Sequence, residues 1–187
     1  MLGAAAWQPF VVSACRGGDA DRAPKFRAVL QALRAEGAMA DLDDGPDQLP
    51  LADEAVEQAL LGNLPGRHFD RVLTHSPLGE YTRHRRHEEV ARATLRLWAS
   101  ERLSMRELWL FAYEDGARAY LPRAIPSADL VHELSPEVWR HKYRLVTEQY
   151  GFAPDSWEAR VTPRSEAFFV LKSPTDARAW LNRSPEP

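Results

Sequence analysis

Cysteine is nearly absent: Cys15 stands alone among 187 residues. No internal disulfide can form, and a single thiol fits a reducing compartment, so a cytoplasmic protein is expected. No apolar run approaches the roughly 20 residues that a membrane-spanning helix needs. Neither sign of charge dominates, the formal net charge being −3. That balance gives no general pull toward nucleic acid or an anionic membrane surface, so any anion must be held by a local cluster. No internal repeat and no linker divides the chain. The opening stretch "MLGAAAWQPFVVSAC" carries no Lys or Arg, and Gln8 and Pro9 interrupt its apolar run, which argues against a secretory signal. It reads instead as a helix end followed by a buried strand.

What is present is the raw material of one globular domain. Hydrophobic residues make up 44% of the chain, enough to bury a core. Short apolar runs alternate with helical periods. "PFVVSAC" (Pro9–Cys15) reads as a strand, and a helix follows from near Pro24, with Phe26, Val29, Leu30 and Leu33 on one face and Gly37 expected to end it. Ala38–Leu42 is a weak strand, then an acidic turn, Asp43–Asp47, leads to a helix over Ala52–Leu61. "DRVLTHS" (Asp70–Ser76) and "ELWLFAY" (Glu107–Tyr113) read as strands on either side of a helix whose inner stripe is Val90, Ala93, Leu97 and Trp98. Ser135 and Pro136 have the types of an N-cap and first helical residue, and Trp139, Tyr143, Val146 and Tyr150 share a helical face expected to be structural. "EAFFVLK" (Glu166–Lys172) is the last strand. The pattern predicts a single α/β domain over 1–172, a mostly parallel sheet with helices on both faces, and a loosely held Pro-rich tail over 173–187. In such sheets ligands sit beyond the carboxyl ends of the strands.

Chemistry concentrates in "THSPLGEYTRHRRHEEV" (Thr74–Val90), at that edge. His84 and His87 are spaced i, i+3, and a helix beginning near Thr82 would put both on one face. Imidazole is a common zinc ligand, and a catalytic zinc usually has three protein ligands and one open position. Arg83, Arg85 and Arg86 fall in the first helical turn, where the helix dipole disfavours positive charge. Either a substrate anion or the carboxylates Glu88 and Glu89 must offset them. A third use of the cluster, contact with RNA, is disfavoured by the negative net charge and the lack of a basic stripe.

The wording of this segment, "FDRVLTHSPLGEYTRHRRHEEV", resembles the PIG-L/LmbE-like family of zinc-dependent N-acetylglucosaminyl deacetylases. "SACRGGDADRAPKF" resembles the family's second strand and the loop after it, and "DLDDGPDQLPL" its acidic loop after the third strand. "KYRLVTEQYGFAPDSWEARVTPRSEAFFVL" resembles the end of one subgroup. The resemblance implies a Rossmann-like sheet and hydrolysis of an N-acyl amino sugar or glycoconjugate. It implies that His87 is a zinc ligand, and that His84 stabilises the oxyanion or protonates the leaving amine. Tyr81 would add a hydroxyl at the oxyanion, and His75 would support the site from the strand end. Asp43 or Asp44 would lie toward substrate; Arg83 is a candidate for a substrate anion from the arginine cluster, not from the resemblance.

The family's other half is a His-Pro-Asp-Asp signature after its first strand, which supplies two ligands and a general base. No His-Pro dipeptide occurs in this chain, and its first histidine is His68. The expectation is therefore that Met1 is internal to a longer sequence, that a central strand of roughly 20–40 residues with its loop and helix is missing, and that this chain binds zinc weakly and is inactive. The rival expectation is a catalytically silent domain that binds a sugar or phosphate.

Overall fold

The computed structural model describes residues 7–78, 80, 83–116 and 118–183. Among the described residues fifteen elements follow one another, and most are written in local sequence. Strand β1 (Phe10–Cys15) leads through helix α1 (Arg22–Leu33) to β2 (Glu36–Leu42), which pairs parallel with β1. Helix α1 ends four residues before the expected glycine stop, with its C-cap Arg34 in the left-handed region (φ 51°). Gly37 lies instead inside β2, where a Cβ would come within 2.5 Å of the Val11 carbonyl oxygen. Close approach of backbone, and not a helix end, is what requires glycine there.

Helix α2 (Asp53–Asn63) joins this pair to β3 (Phe69–Thr74), and α3 (Arg85–Ala99) crosses from β3 to its parallel neighbour β4 (Met105–Phe111). The chain then makes a two-residue ladder, β5 (Tyr113–Glu114) with β6 (Arg123–Ala124), and an edge strand β7 (Leu130–Glu133). Helix α4 (Pro136–Arg144) starts as its sequence foretold, the Ser135 hydroxyl accepting from Val138 N. It runs on into a π-helical turn, Leu145–Gln149, and a short helix α5 (Trp157–Arg160). Strand β8 (Ser165–Leu171) lies antiparallel to both β4 and β7, so the larger sheet has the order β3-β4-β8-β7. The class is α/β as expected, but the larger sheet is mixed, because β8 returns against β4.

The core sits where α2, α3 and α6 (Pro174–Leu181) meet one face of that sheet. Val56 and Leu60 of α2, Ala93, Leu97 and Trp98 of α3, Leu108 and Leu110 of β4, and Trp180 of α6 are all buried in it. Helix α3 buries Ala91, Thr94 and Leu95 as well, more than one stripe, because α2 and α6 flank it on two sides. The segment from Ser173 is therefore not a loose tail through residue 183. Ser173 caps α6 at Asp176 N, Pro174 opens it, and Trp180 anchors it beside Phe169. Helix α2 also touches β1 and β2, so it lies between that strand pair and α3.

The opposite face of β3-β4-β8 is more open. Leu73, which lies on it, is 48% exposed, and Arg71 stacks 3.7 Å from the centre of the Trp109 ring. In α4 no side chain is fully buried; Trp139 stacks on Tyr143 and donates to the Thr162 carbonyl. These aromatics brace neighbouring segments and are half-buried, short of the core burial expected of them. Among the described residues no helix is long and apolar enough to cross a membrane.

Candidate functional site

The chain leaves β3 at Thr74 and reaches α3 at Arg85, and the residues between them carry the polar groups. Parallel pairing of β3 with β4 puts this junction at the carboxyl edge of both strands. Ser76 and Pro77 are buried, and the Ser76 hydroxyl accepts from Leu78 N, a tight turn that sends the chain back over the strand end. His75 and Glu80 are thereby brought face to face.

Glu80 is the hub. Its side chain is 5% exposed, His75 Nδ1 donates to its Oε2 at 2.9 Å, and His87 Nδ1 stands 3.3 Å from its Oε1. The His87 contact lacks hydrogen-bond alignment and is best counted as electrostatic. Burial by itself would raise this carboxyl, but the two imidazoles outweigh burial and hold it down at about 2. The rings of His75 and His87 stack with centroids 3.9 Å apart and 6° between their planes.

His84 is not inside the helix. It occupies the N-cap position with extended backbone (φ −132°, ψ 121°), and α3 begins one residue later. The expected start near Thr82 placed both histidines within one helical turn. Their rings nevertheless meet, 4.7 Å apart, because N-cap and N3 side chains are neighbours at a helix start. His84 Nε2 lies 3.9 Å from Asp44 Oδ1. Burial lowers the His84 pKa first, the charges of His87 and Arg86 lower it further, and Asp44 and Glu80 oppose them.

Two arginines secure the surrounding loops. Arg86, 4% exposed, donates to the carbonyls of Asp43 and Leu49 and to Glu89 Oε2 (2.6 Å); Glu89 Oε1 in turn accepts from Leu51 N. The loop after β2 is thus clamped to the first turn of α3. Arg16, after β1, donates from Nε to Asp44 Oδ2 at 3.1 Å and from Nη1 to Asp19 at 3.0 Å. Asp44 also accepts from Gln48. Burial would raise Asp44, and the bonds from Gln48 and Arg16 more than reverse that, so it stays ionised. An open crevice of about 430 Å³ lies against Arg16, Asp41 and Asp44.

Of the residues singled out in the sequence, His75, His84, His87 and Asp44 converge on one place. The Asp43 side chain is 65% exposed and lines the same crevice. Arg83 is turned outward, 57% exposed, with Nε and Nη2 both bonded to Glu88. Two of the three arginines are thus offset by carboxylates: Glu88 takes Arg83, which lies ahead of the N-cap, and Glu89 takes Arg86 in the first turn. Tyr81 falls outside the described residues.

Glu80 was missed. The signal for it was an acidic residue in an otherwise cationic loop, two residues short of the arginine run. With it, His75, Glu80 and His87 each offer one ligand atom, all within 4.8 Å of one another, so this group could hold a metal ion. The donor set, two imidazole nitrogens and one carboxylate oxygen, suits a divalent transition metal. Comparison with protein-family models, with curated proteins and with solved structures gives no match.

Proposed function

We propose that this chain is a PIG-L/LmbE-like domain whose reaction is zinc-dependent hydrolysis of an N-acyl group from an amino sugar or similar small molecule. The observation that carries the reading is the convergence of His75, Glu80, His84 and His87 at the carboxyl edge of β3, beside an acidic loop held by Arg86. The finer fold reading is a Rossmann-like sheet lacking its first, central strand. Its support is that β1–β2 and β3–β4 are each parallel and that the two pairs form separate sheets, with α2 packed against β1, β2 and α3. One parallel strand between β1 and β3 would join them.

Amide hydrolysis needs a polarised carbonyl, an activated water, and donors aimed at the developing oxyanion. Zinc, when bound, supplies the first and acidifies the second. The residues of the chain supply the rest. His84, beside Asp44 and outside the Glu80 contacts, is placed to pass a proton to the departing amine, with Asp44 stabilising its charged form. Tyr81 is the family's second donor to the oxyanion. The acidic crevice at Asp41 and Asp44 suits the amine that hydrolysis uncovers.

The phosphate-binding alternative loses support from the site, since Arg83 and Arg86 are already engaged with Glu88 and Glu89. A silent sugar-binding domain remains the second reading, favoured by the absence of a His-Pro dipeptide and hence of the family's general base. The deciding experiment supplies that base by fusing, ahead of residue 7, a His-Pro-Asp-Asp strand–helix unit from a PIG-L/LmbE deacetylase. Amine release is then measured from N-acetylglucosamine derivatives with and without chelator. Chelator-sensitive release is expected in the fusion, and the 187-residue chain alone should give none. His84→Ala in the fusion should keep zinc and lose roughly 100-fold or more in rate. A folded, zinc-loaded fusion that releases no amine from a broad panel of N-acyl substrates would leave the sugar-binding reading in place.

A further inference from the structure

The family pattern assigns only His87 to the metal from this half of the molecule, and on that basis the chain should hold little zinc. We infer instead that the β3–α3 junction carries a complete protein ligand set for one divalent transition-metal ion, His75, Glu80 and His87, and that it binds the ion in this chain as it stands. The inference rests on the junction's geometry and holds whether or not the chain hydrolyses an amide.

Three observations carry it. The first is spacing. Zinc–ligand bonds of about 2.0–2.2 Å in a tetrahedral site put neighbouring ligand atoms roughly 3.3–3.6 Å apart. Here His75 Nδ1 is 2.9 Å from Oε2 of Glu80 and His87 Nδ1 is 3.3 Å from Oε1, and with one ligand atom taken from each residue the three lie within 4.8 Å of one another. The two rings now stack with 6° between their planes, so they must turn out of that stack before both lone pairs can point at one ion.

The second is the state of the polar atoms. Glu80 is a carboxylate taken out of water, which is costly unless charge and hydrogen bonds compensate it. Among the described residues only His75 makes an aligned hydrogen bond to it, and Nδ1 of His87, buried beside it, finds no hydrogen-bond partner there. A buried polar atom left over next to a buried carboxylate is the condition that an ordered ion or water resolves. Nearby Arg86 does not meet the need, being committed to Glu89 and the loop carbonyls.

The third is how the ligands are held. His75 follows directly on β3, His87 lies in the first turn of α3, and Glu80 is packed into the turn between them. One of the three therefore stands on a regular element and a second adjoins the end of another, an arrangement that helps make a metal site rigid. Three protein ligands leave a fourth position open to water or substrate. His84, 4.7 Å from the His87 ring and beside Asp44, stays outside the set. Imidazole and carboxylate bind through unprotonated atoms, so a proton on His75 Nδ1 that faces Glu80 has to leave that nitrogen as the ion enters.

The test uses the 187-residue chain, stripped with chelator and titrated with zinc against a chromophoric competitor, then with cobalt(II) followed by its visible absorption. One ion per chain is expected, with a tetrahedral cobalt spectrum. Removing an outer-shell partner of a metal site costs about 10–100-fold in affinity, so loss of a ligand should cost more than 100-fold. That loss is expected for Glu80→Gln, which keeps the shape of the side chain, and for His75→Ala and His87→Ala. His84→Ala should change affinity by about tenfold or less. Circular dichroism confirms that each variant is folded. No saturable zinc binding by the folded parent overturns the inference. So does zinc binding that survives Glu80→Gln, or that depends on His84 and Asp44 in its place. Zinc bound by these three residues in a chain that stays inactive even with the fused unit would sink the deacetylase reading alone.

Discussion

At the scale of single residues, position in the fold has changed what two side chains can do. Glu80 is written as one more surface acid, yet its turn carries it under two imidazoles and makes it the centre of the site. Cys15 is the converse case, a thiol rendered inert. Burial raises it first, and the neighbouring charges of Asp44 and Glu89 raise it further against Arg86 and Arg16, to about 11. Against its ordinary value of 9.0, that leaves the thiol about 100-fold less ionised at pH 8. A disulfide reagent should therefore label native Cys15 at least about 100-fold more slowly than the denatured chain at the same pH. Equal rates in the two states would show that β1 opens freely or that its carboxyl end is wetter than described.

At the scale of elements, the site depends on a clamp between the loop after β2 and the start of α3. Arg86 makes it, with three divergent donors and almost no solvent contact. Truncating one partner of such a buried pair leaves Glu89 uncompensated and two loop carbonyls unpaired, a cost of about 3–5 kcal/mol. Arg86→Ala should lose that much in denaturant unfolding. Arg86→Lys should recover only part of it, because a single ammonium cannot reach all three acceptors in the geometry of a planar fork. A variant that unfolded with the parent would mean that the loop is held by other contacts. Loosening it should also release Asp44 from His84, since Asp44 belongs to the same loop.

At the scale of the whole molecule, packing between layers carries the stability, and one ion-pair network stitches them. Glu57 of α2 accepts from Arg96 of α3 at 2.8 Å and from Arg102, in the turn after α3, at 2.6 Å. Burial would raise the Glu57 carboxyl, but its two arginine bonds lower it below the ordinary carboxylate value. A carboxyl lowered by folding contributes stability that is fully present above its unfolded pKa, near 4.5, and is lost as pH falls through the folded one. The melting temperature should thus hold level from neutral pH down to about pH 5.5 and fall below about pH 4.5. Glu57→Gln should cost about 1–3 kcal/mol at pH 7, the lower part of that range being favoured because the arginine partners are partly exposed to solvent. It should also flatten the acid limb. An acid limb unchanged in this variant would place the proton linkage elsewhere.

What the sequence determined by itself is whatever rests on neighbours a few residues apart. The Ser135 cap and Pro136 at the start of α4, the apolar run of β4, and the inner stripe of α3 all follow from local propensity and period, and all are found. So was the concentration of histidines beyond β3, because a strand followed by a polar loop and a helix places that loop at the sheet's carboxyl edge. The tertiary structure alone decided the rest. Strand β7 is four residues long and owes its existence to pairing with β8, and α6 owes its order to the burial of Trp180. The antiparallel return of β8, which makes the larger sheet mixed, is a long-range choice with no local mark. The same holds at the site. Spacing along the chain placed His84 and His87 together, but only the packed turn after β3 could set Glu80 between His75 and His87, because burial and charge pairing are properties of the folded neighbourhood.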